Sequence, residues 1–249
     1  MEPKRLDFSK KSVLIYKPVG MVSSMNRKTQ KGVSNTLAKE KLLDAAQRLM
    51  LSNGFSATTV DGICETAGLT KGCLFHYFSS KDDLGKAVLE HYWASTQEMI
   101  RTRLFPGKVD PIERISDVIA ISIEMANNRS LPIGCLLGNF AQELSDTHPD
   151  VRDLCDRYFA QWIGAIKRDL DEASRKYNPR ASIDTQTLAE HLVAVLEGSL
   201  ILAKAAQDTR IIERNLRHFE GYIRSLFSAG KRTYSTASPI DTGCEKPEF

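Results

Sequence analysis

Residues 68–84 read GLTKGCLFHYFSSKDDL. A threonine opens the stretch, a lysine and a glycine follow, and four rings (Phe75, His76, Tyr77 and Phe78) then stand in a row. A short helix turns only about a third of its circumference to a core, so part of that row must face something else. Upstream, Thr58-Thr59 opens one short helix that Ala67-Gly68 closes, and Thr70 caps the next, which ends near Ser79-Ser80. Short helix, Ala-Gly turn, capped short helix is the order of a helix-turn-helix unit. The second helix of such a unit lies in the major groove of DNA and offers its N-terminal residues to base edges. With Thr70 at the N-cap, the spacing predicts Leu74, Phe75 and Phe78 inward, and Lys71, Cys73, His76 and Tyr77 outward. An imidazole and a phenol suit an outward place, because both hydrogen-bond to phosphates or base edges while covering sugar. Gly72 carries no side chain and lets the backbone come close. The competing reading of the same residues is an incidental αα corner with ordinary surface rings.

Outside this unit the chain is helical wherever it shows a period. Leu42, Ala46, Leu49 and Met50 share one face of a helix that Asn53-Gly54 ends. Lys81 to Phe105 forms a longer helix stopped by Pro106-Gly107, and Asp110-Pro111 starts another that runs to about Asn128. Gly134 to Asp146 gives a sixth helix, and a seventh runs from Pro149 to Asn178-Pro179. In 185–207, Leu188, Leu192 and Val195 form one stripe while Val193, Leu196 and Leu200 form another, so that helix needs two partners. In 210–229, Ile212, Leu216, Phe219, Ile223 and Leu226 alternate steps of four and three, a seam for antiparallel packing. The fold class expected is all-α.

The 249 residues carry a net charge of +3, and the charge is divided unevenly. Residues 1–35 hold eight Lys or Arg against Glu2 and Asp7, which makes that segment +6 and leaves −3 for the rest. Pro, Gly and Ser interrupt 1–35 without any period, so it reads as a disordered basic arm that attracts DNA without reading it. Met21 and Met25 inside the arm are alternative starts. Residues 231–249 read as a second loose tail. SVLIYKPVGMV, residues 12–22, fails as a signal core because Lys17 and Pro18 interrupt it, and no run approaches the roughly 20 apolar residues of a membrane span. The expectation is a cytoplasmic protein with no membrane partner. Five scattered cysteines without a C-x-x-C pair indicate neither a disulfide framework nor a zinc site, so neither metal nor cofactor is expected. The chain has no phosphate loop, no H-E-x-x-H, no G-x-S-x-G and no nucleotide-binding glycine fingerprint, so it does not read as an enzyme. A helical adaptor or small-molecule binder without DNA is the competing class.

The stretch from Leu37 to about Ala94 resembles the DNA-binding domain of the TetR/AcrR family of bacterial repressors. LSNGFSATTV and ICETAGLTKGCLFHYFSSKDDL carry the likeness. They match the family's loose pattern T-T-V-x-x-I-A-x-x-A-G-V-S-K-G-T-L-Y-x-H-F-x-x-K-E-x-L at nearly every fixed position. The resemblance implies a three-helix DNA-binding domain over 36–96, with its motif at about 59–78. A larger helical effector-binding and dimerisation domain over 97–230 would follow. Thr59 would cap the second helix with Asp61 near the groove. Thr70, Lys71, Gly72 and Cys73 would open the recognition helix, His76 would face bases or phosphate, and Tyr77 and Lys81 would touch phosphate. Three residues depart from the pattern: Phe75 stands for a usual Tyr, Cys73 for Thr or Ser, and Cys64 for Ala.

The same resemblance implies a homodimer on double-stranded operator DNA, released by a small-molecule effector. The two last helices would join a second subunit, with Leu192, Val195, Leu196, Leu200, Phe219, Ile223 and Leu226 at the contact. Trp93, Phe140, Tyr158 and Trp162 are candidate pocket rings, with core filling as the competing role. Cys135, in Gly134-Cys135-Leu136, opens a helix whose N-terminus would favour thiolate, and that segment looks similar to those of relatives that sense electrophiles or oxidants. A small packed cysteine is the competing reading there.

Overall fold

A computed structural model of the chain describes residues 27–103, 110–128, 132–178 and 182–228, with side chains from residue 36 onward. Residues 1–26, most of the expected basic arm, and the tail from 229 onward lie outside the described residues. Among the described residues every regular element is a helix, as the periodicities predict. One boundary moves: α1 (Arg27–Asn53) begins inside the segment read as a disordered arm. Helix formation needs neither an apolar stripe nor a cap at every turn, so the missing period in 27–35 did not signal the helix that continues into Leu42–Met50.

The first four helices form the head. On α1, Leu42, Ala46 and Met50 are fully buried at steps of four, facing α2 (Val60–Ala67) and α4 (Lys81–Arg103). Helix α3 (Lys71–Tyr77) is seated on this frame by Leu74 and by Phe78, which caps it. Ser80 and Asp83 then start α4 reciprocally: Asp83 N–H donates to Ser80 Oγ at 3.0 Å, and Ser79 N–H donates to Asp83 at 2.9 Å.

The larger part is α5 (Pro111–Ala126), α6 (Leu136–Leu144), α7 (Pro149–Tyr177), α8 (Thr185–Ala206) and α9 (Arg210–Ser228). Asp110 caps α5 through Ile112 and Glu113 N–H and also holds Tyr177 and Lys176 at the far end of α7. Burial opposes its ionisation, but the hydrogen bonds from Tyr177, Lys176 and the two amides win and lower its carboxyl to about 2. Helix α8 lies between α7 and α9, which answers why it is apolar on two sides. One buried cluster runs from Leu42 to Phe227, so the head and the larger part share a continuous core. Gly85 marks a tight passage: a Cβ there would lie 2.7 Å from Phe55 Cε2, so α4 crosses Phe55 only with hydrogen at that position.

Within the single chain the expected dimer residues are largely covered. Leu192, Leu196, Leu200, Phe219 and Ile223 are all buried within the single chain, and Val195 and Leu226 are half-buried. Periodicity finds an apolar face but does not say whether the same chain or a second one covers it. The large apolar side chains left exposed on these helices are Ile201, Leu202 and Tyr222.

Candidate functional site

Two threonines set the turn. Thr59 Oγ1 accepts from Gly62 N–H at 3.1 Å and starts α2, and Thr70 Oγ1 accepts from Cys73 N–H at 3.2 Å and starts α3. Between them Gly68 ends α2 at φ +64°, where it donates back to Cys64 and Glu65 carbonyls. No heavy atom lies within 4 Å of where its Cβ would be, so the backbone angle alone requires glycine there. Because the threonine oxygens act as acceptors inside the caps, their hydroxyl hydrogens remain available to an outside acceptor such as phosphate.

On the outer side of this turn lie Asp61, Lys71, Gly72, Phe75 and His76, all exposed. Lys71 Nζ sits 2.7 Å from Asp61 Oδ1, which joins the first turn of α3 to the first turn of α2. That hydrogen bond and the carboxylate charge raise the Lys71 pKa. Beyond Gly72 the way is open: its Cβ would meet only Thr70 Oγ1, at 3.8 Å. Cys73 is half-buried.

Two ring assignments need correction. Phe75 is 52% exposed and is not core, while Phe78, 3% exposed, is. Tyr77, expected outward, is half-buried against the core and meets His76 edge-on at 4.9 Å between centroids. The helix is short, and Leu74 and Phe78 are its buried anchors. Phe75, next to Leu74 in sequence, is therefore rotated about 100° away from that anchor. Phe75 thus joins the exposed face of α3, although periodicity alone assigned it inward. Lys81 is also not extended outward. Its Nζ donates to Ser56 carbonyl oxygen at 3.2 Å and lies 4.4 Å above the Phe55 ring.

A cavity of about 120 Å3 lies beneath the head. Its walls come from both parts of the chain, with Gln47 and Leu51 on α1, Tyr92 and Trp93 on α4, Cys135 before α6, Trp162 on α7 and Glu197 on α8. Of the expected pocket residues, Cys135, Trp93 and Trp162 do line it. Phe140 and Tyr158 do not: Phe140 is fully buried against Phe55, and Tyr158 stacks on Trp93 at 5.1 Å between centroids.

Of the two readings of Cys135, its surroundings favour the small packed cysteine over the thiolate. Burial, and then the nearby Glu197 carboxylate, push the thiol far above its ordinary range, and these outweigh the amide of Gly138. Tyr92 Oη donates to Cys135 Sγ at 3.8 Å, and the thiol shares a hydrogen bond with Glu197. A helix N-terminus offers a fraction of a charge, which is too little against removal from water.

Helix α6 connects this cavity to the head. At its beginning Cys135 faces the cavity. Asn139 Nδ2 donates to Leu51 carbonyl oxygen at 3.3 Å, and Glu143 accepts from the Phe55 and Ser56 amides at 2.7 Å each. Burial would raise the Glu143 pKa, but the hydrogen bonds from Ser56 and Phe55, with Lys81 nearby, lower it. The α6 carboxylate therefore grips the backbone between α1 and α2. Among the described residues no helix is long and apolar enough to cross a membrane, and no three His, Cys, Asp or Glu are grouped to hold a metal.

Comparison with known proteins agrees with this geometry. Residues 42–88 match the model of bacterial regulatory proteins of the tetR family, and residues 111–219 match the tetracyclin repressor-like C-terminal domain. The HTH-type transcriptional repressor DhaR of Mycobacterium sp. (strain GP1) is 27% identical over 197 residues, covering 79% of this chain and 94% of that protein. The HTH-type transcriptional repressor NemR of Escherichia coli (strain K12) is 24% identical over 185 residues, covering 74% and 93%. A crystal structure of regulatory protein TetR from Rhodobacter sphaeroides superposes with a TM-score of 0.69 at 26% identity, covering 75% of this chain and 98% of that one. The two matched regions meet the two parts of the chain that α6 joins.

Proposed function

The chain belongs to the TetR family of bacterial regulatory proteins and is a DNA-binding transcriptional regulator, and from that premise we propose that it acts as a homodimeric repressor released by a small molecule. Repression is the named role of its relatives DhaR and NemR. Such a protein works on DNA in the cytoplasm. The observation that carries the reading is the linkage through α6: one rigid helix borders the cavity at its first residues and holds the α1–α2 backbone through Glu143.

On this reading α3 enters the major groove. Lys71 and His76 reach base edges, and Phe75 supplies an apolar contact to a thymine methyl or to sugar. Thr59 and Thr70 offer hydroxyls to phosphate, and Gly72 and Cys73 allow close approach. Tyr77 reaches phosphate only with its hydroxyl edge, its ring being held by the core. Lys81 contributes chiefly by fixing Ser56, with its charge available at the rim. A second subunit docks on the exposed Leu202 and Tyr222, which gives two reading heads at a fixed spacing. A ligand that moves α6 changes that spacing and lowers operator affinity, since half-site separation is a geometric demand.

The test is a salt-dependent binding series on operator and random duplex. Phe75→Ala and His76→Ala should each lose about 1–3 kcal/mol on operator and much less on random DNA. Equal losses on both duplexes would show that α3 does not read sequence.

A further inference from the structure

Three buried side-chain atoms that border the cavity beneath the head have no hydrogen-bond partner among the described residues. They are Gln47 Oε1, Trp162 Nε1 and Glu197 Oε1. They come from α1, α7 and α8, so no local feature of one helix brings them together. Polar atoms buried at a shared surface without a partner among the described residues call for one, a ligand or a water. Their chemistry constrains that partner. Two of the three are acceptors, and one belongs to a carboxylate. Among the described residues that border the cavity there is no Lys, Arg or His, and Glu197 is the charged group among them. Burial has raised the Glu197 pKa, as expected for a carboxylate with no cation against it. An anion entering here would meet that carboxylate without a counter-charge, and a hydrocarbon would leave all three atoms unpaired.

The remaining walls fit a cation on an apolar body. Tyr92, Trp93 and Trp162 supply ring surface, and cations favour ring faces. The volume of about 120 Å3 is close to the engineered cavity of about 150 Å3 that takes benzene. Gly138 is needed for the carboxylate's position: a Cβ there would fall 2.3 Å from Glu197 Oε2. We infer that this cavity is a receptor for a small organic cation, a protonated amine on an aromatic or hydrocarbon body about the size of one benzene ring. The ammonium pairs with Glu197 and reaches Gln47 Oε1, and Trp162 Nε1 is left to donate to an acceptor elsewhere on the same molecule. The inference rests on the effector-controlled reading above and supplies the ligand's chemical class.

Calorimetric titration of the full-length protein at neutral pH, without DNA, tests it with three probes of one shape: benzylamine, benzyl alcohol and benzoate. Benzylamine should bind about tenfold or more tightly than benzyl alcohol, and benzoate should bind weakest. Glu197→Gln should remove the amine's advantage and leave benzyl alcohol within about twofold. Gly138→Ala, which keeps the carboxylate but displaces it, should weaken the amine as well. Equal affinity for amine and alcohol in the wild type, or an amine advantage that survives Glu197→Gln, would overturn the inference. Binding of none of the three would also overturn it, since the cavity would then hold water alone. Because DNA is absent, failure here leaves the operator measurements standing. Failure of operator binding leaves these titrations equally interpretable.

Discussion

Lys71 and Asp61 hold each other at 2.7 Å on the outer side of the head, so the helix proposed to meet DNA begins with its cation already engaged. Asp61→Asn should free that cation and remove a negative charge from the face that meets phosphate. Affinity for random duplex should rise several-fold, and the salt slope should steepen by about 0.9 for each subunit. An unchanged slope would mean that Lys71 leaves Asp61 on binding anyway, and that the pair does not restrain the wild type. The capping threonines and Gly68 were legible in the sequence, because a cap and a turn depend only on residues a few positions away. The ring row was half legible. Phe78 was expected inside and is inside, but Phe75 and Tyr77 exchange their expected places, since a rotation of one residue on so short a helix depends on which neighbours anchor it. A packed Cys135 was one of the two sequence readings, but what raises its thiol, burial first and then the Glu197 carboxylate on another helix far along the chain, was not legible.

At the scale of elements, α4 crosses Phe55 with no room for a methyl group at Gly85. Gly85→Ala adds helix propensity of up to about 1 kcal/mol, but Phe55 is 6% exposed and cannot swing into solvent. The net effect should be a loss of about 1–3 kcal/mol, read as a lower melting temperature. Phe55→Leu in the same chain should restore part of it; no restoration would place the strain elsewhere. Asp110 joins the start of α5 to the end of α7, and its carboxyl lies at about 2 against an ordinary 3.8. A depressed acid stabilises the fold above its unfolded value and loses that contribution as pH falls through its folded one. Asp110→Asn should therefore lower stability by about 1 kcal/mol near neutrality, a figure reduced for partial exposure. The difference from wild type should shrink between about pH 4 and pH 2. A gap that stays constant over that range would assign the effect to the helix cap alone. Helix ends were read to within a few residues because Asp110-Pro111, Pro149 and Asn178 are local stop and start signals. The start of α1 was missed because no such signal stands at Arg27.

For the whole molecule, apolar faces were legible while their partners were not. The stripes on α8 and α9 mostly serve the chain's own core, and Leu202, 55% exposed, is the better candidate for a subunit contact. Leu202→Glu should give monomers in sedimentation without lowering the melting temperature of the single chain, and operator binding should fall with it. Dimers that persist through this change would move the subunit contact away from that face. The cavity was partly legible: Trp93, Cys135 and Trp162 line it as expected, whereas Gln47 and Glu197 are brought to it only by tertiary packing. Gln47 and Leu51 belong to the head, although the cavity they border is otherwise built by α4 and the larger part. On the function proposed above, sensing and reading are therefore not separable modules in this chain. A regulatory half transplanted onto a foreign reading head would carry an incomplete receptor, and an engineer seeking a hybrid switch must transplant the end of α1 along with it.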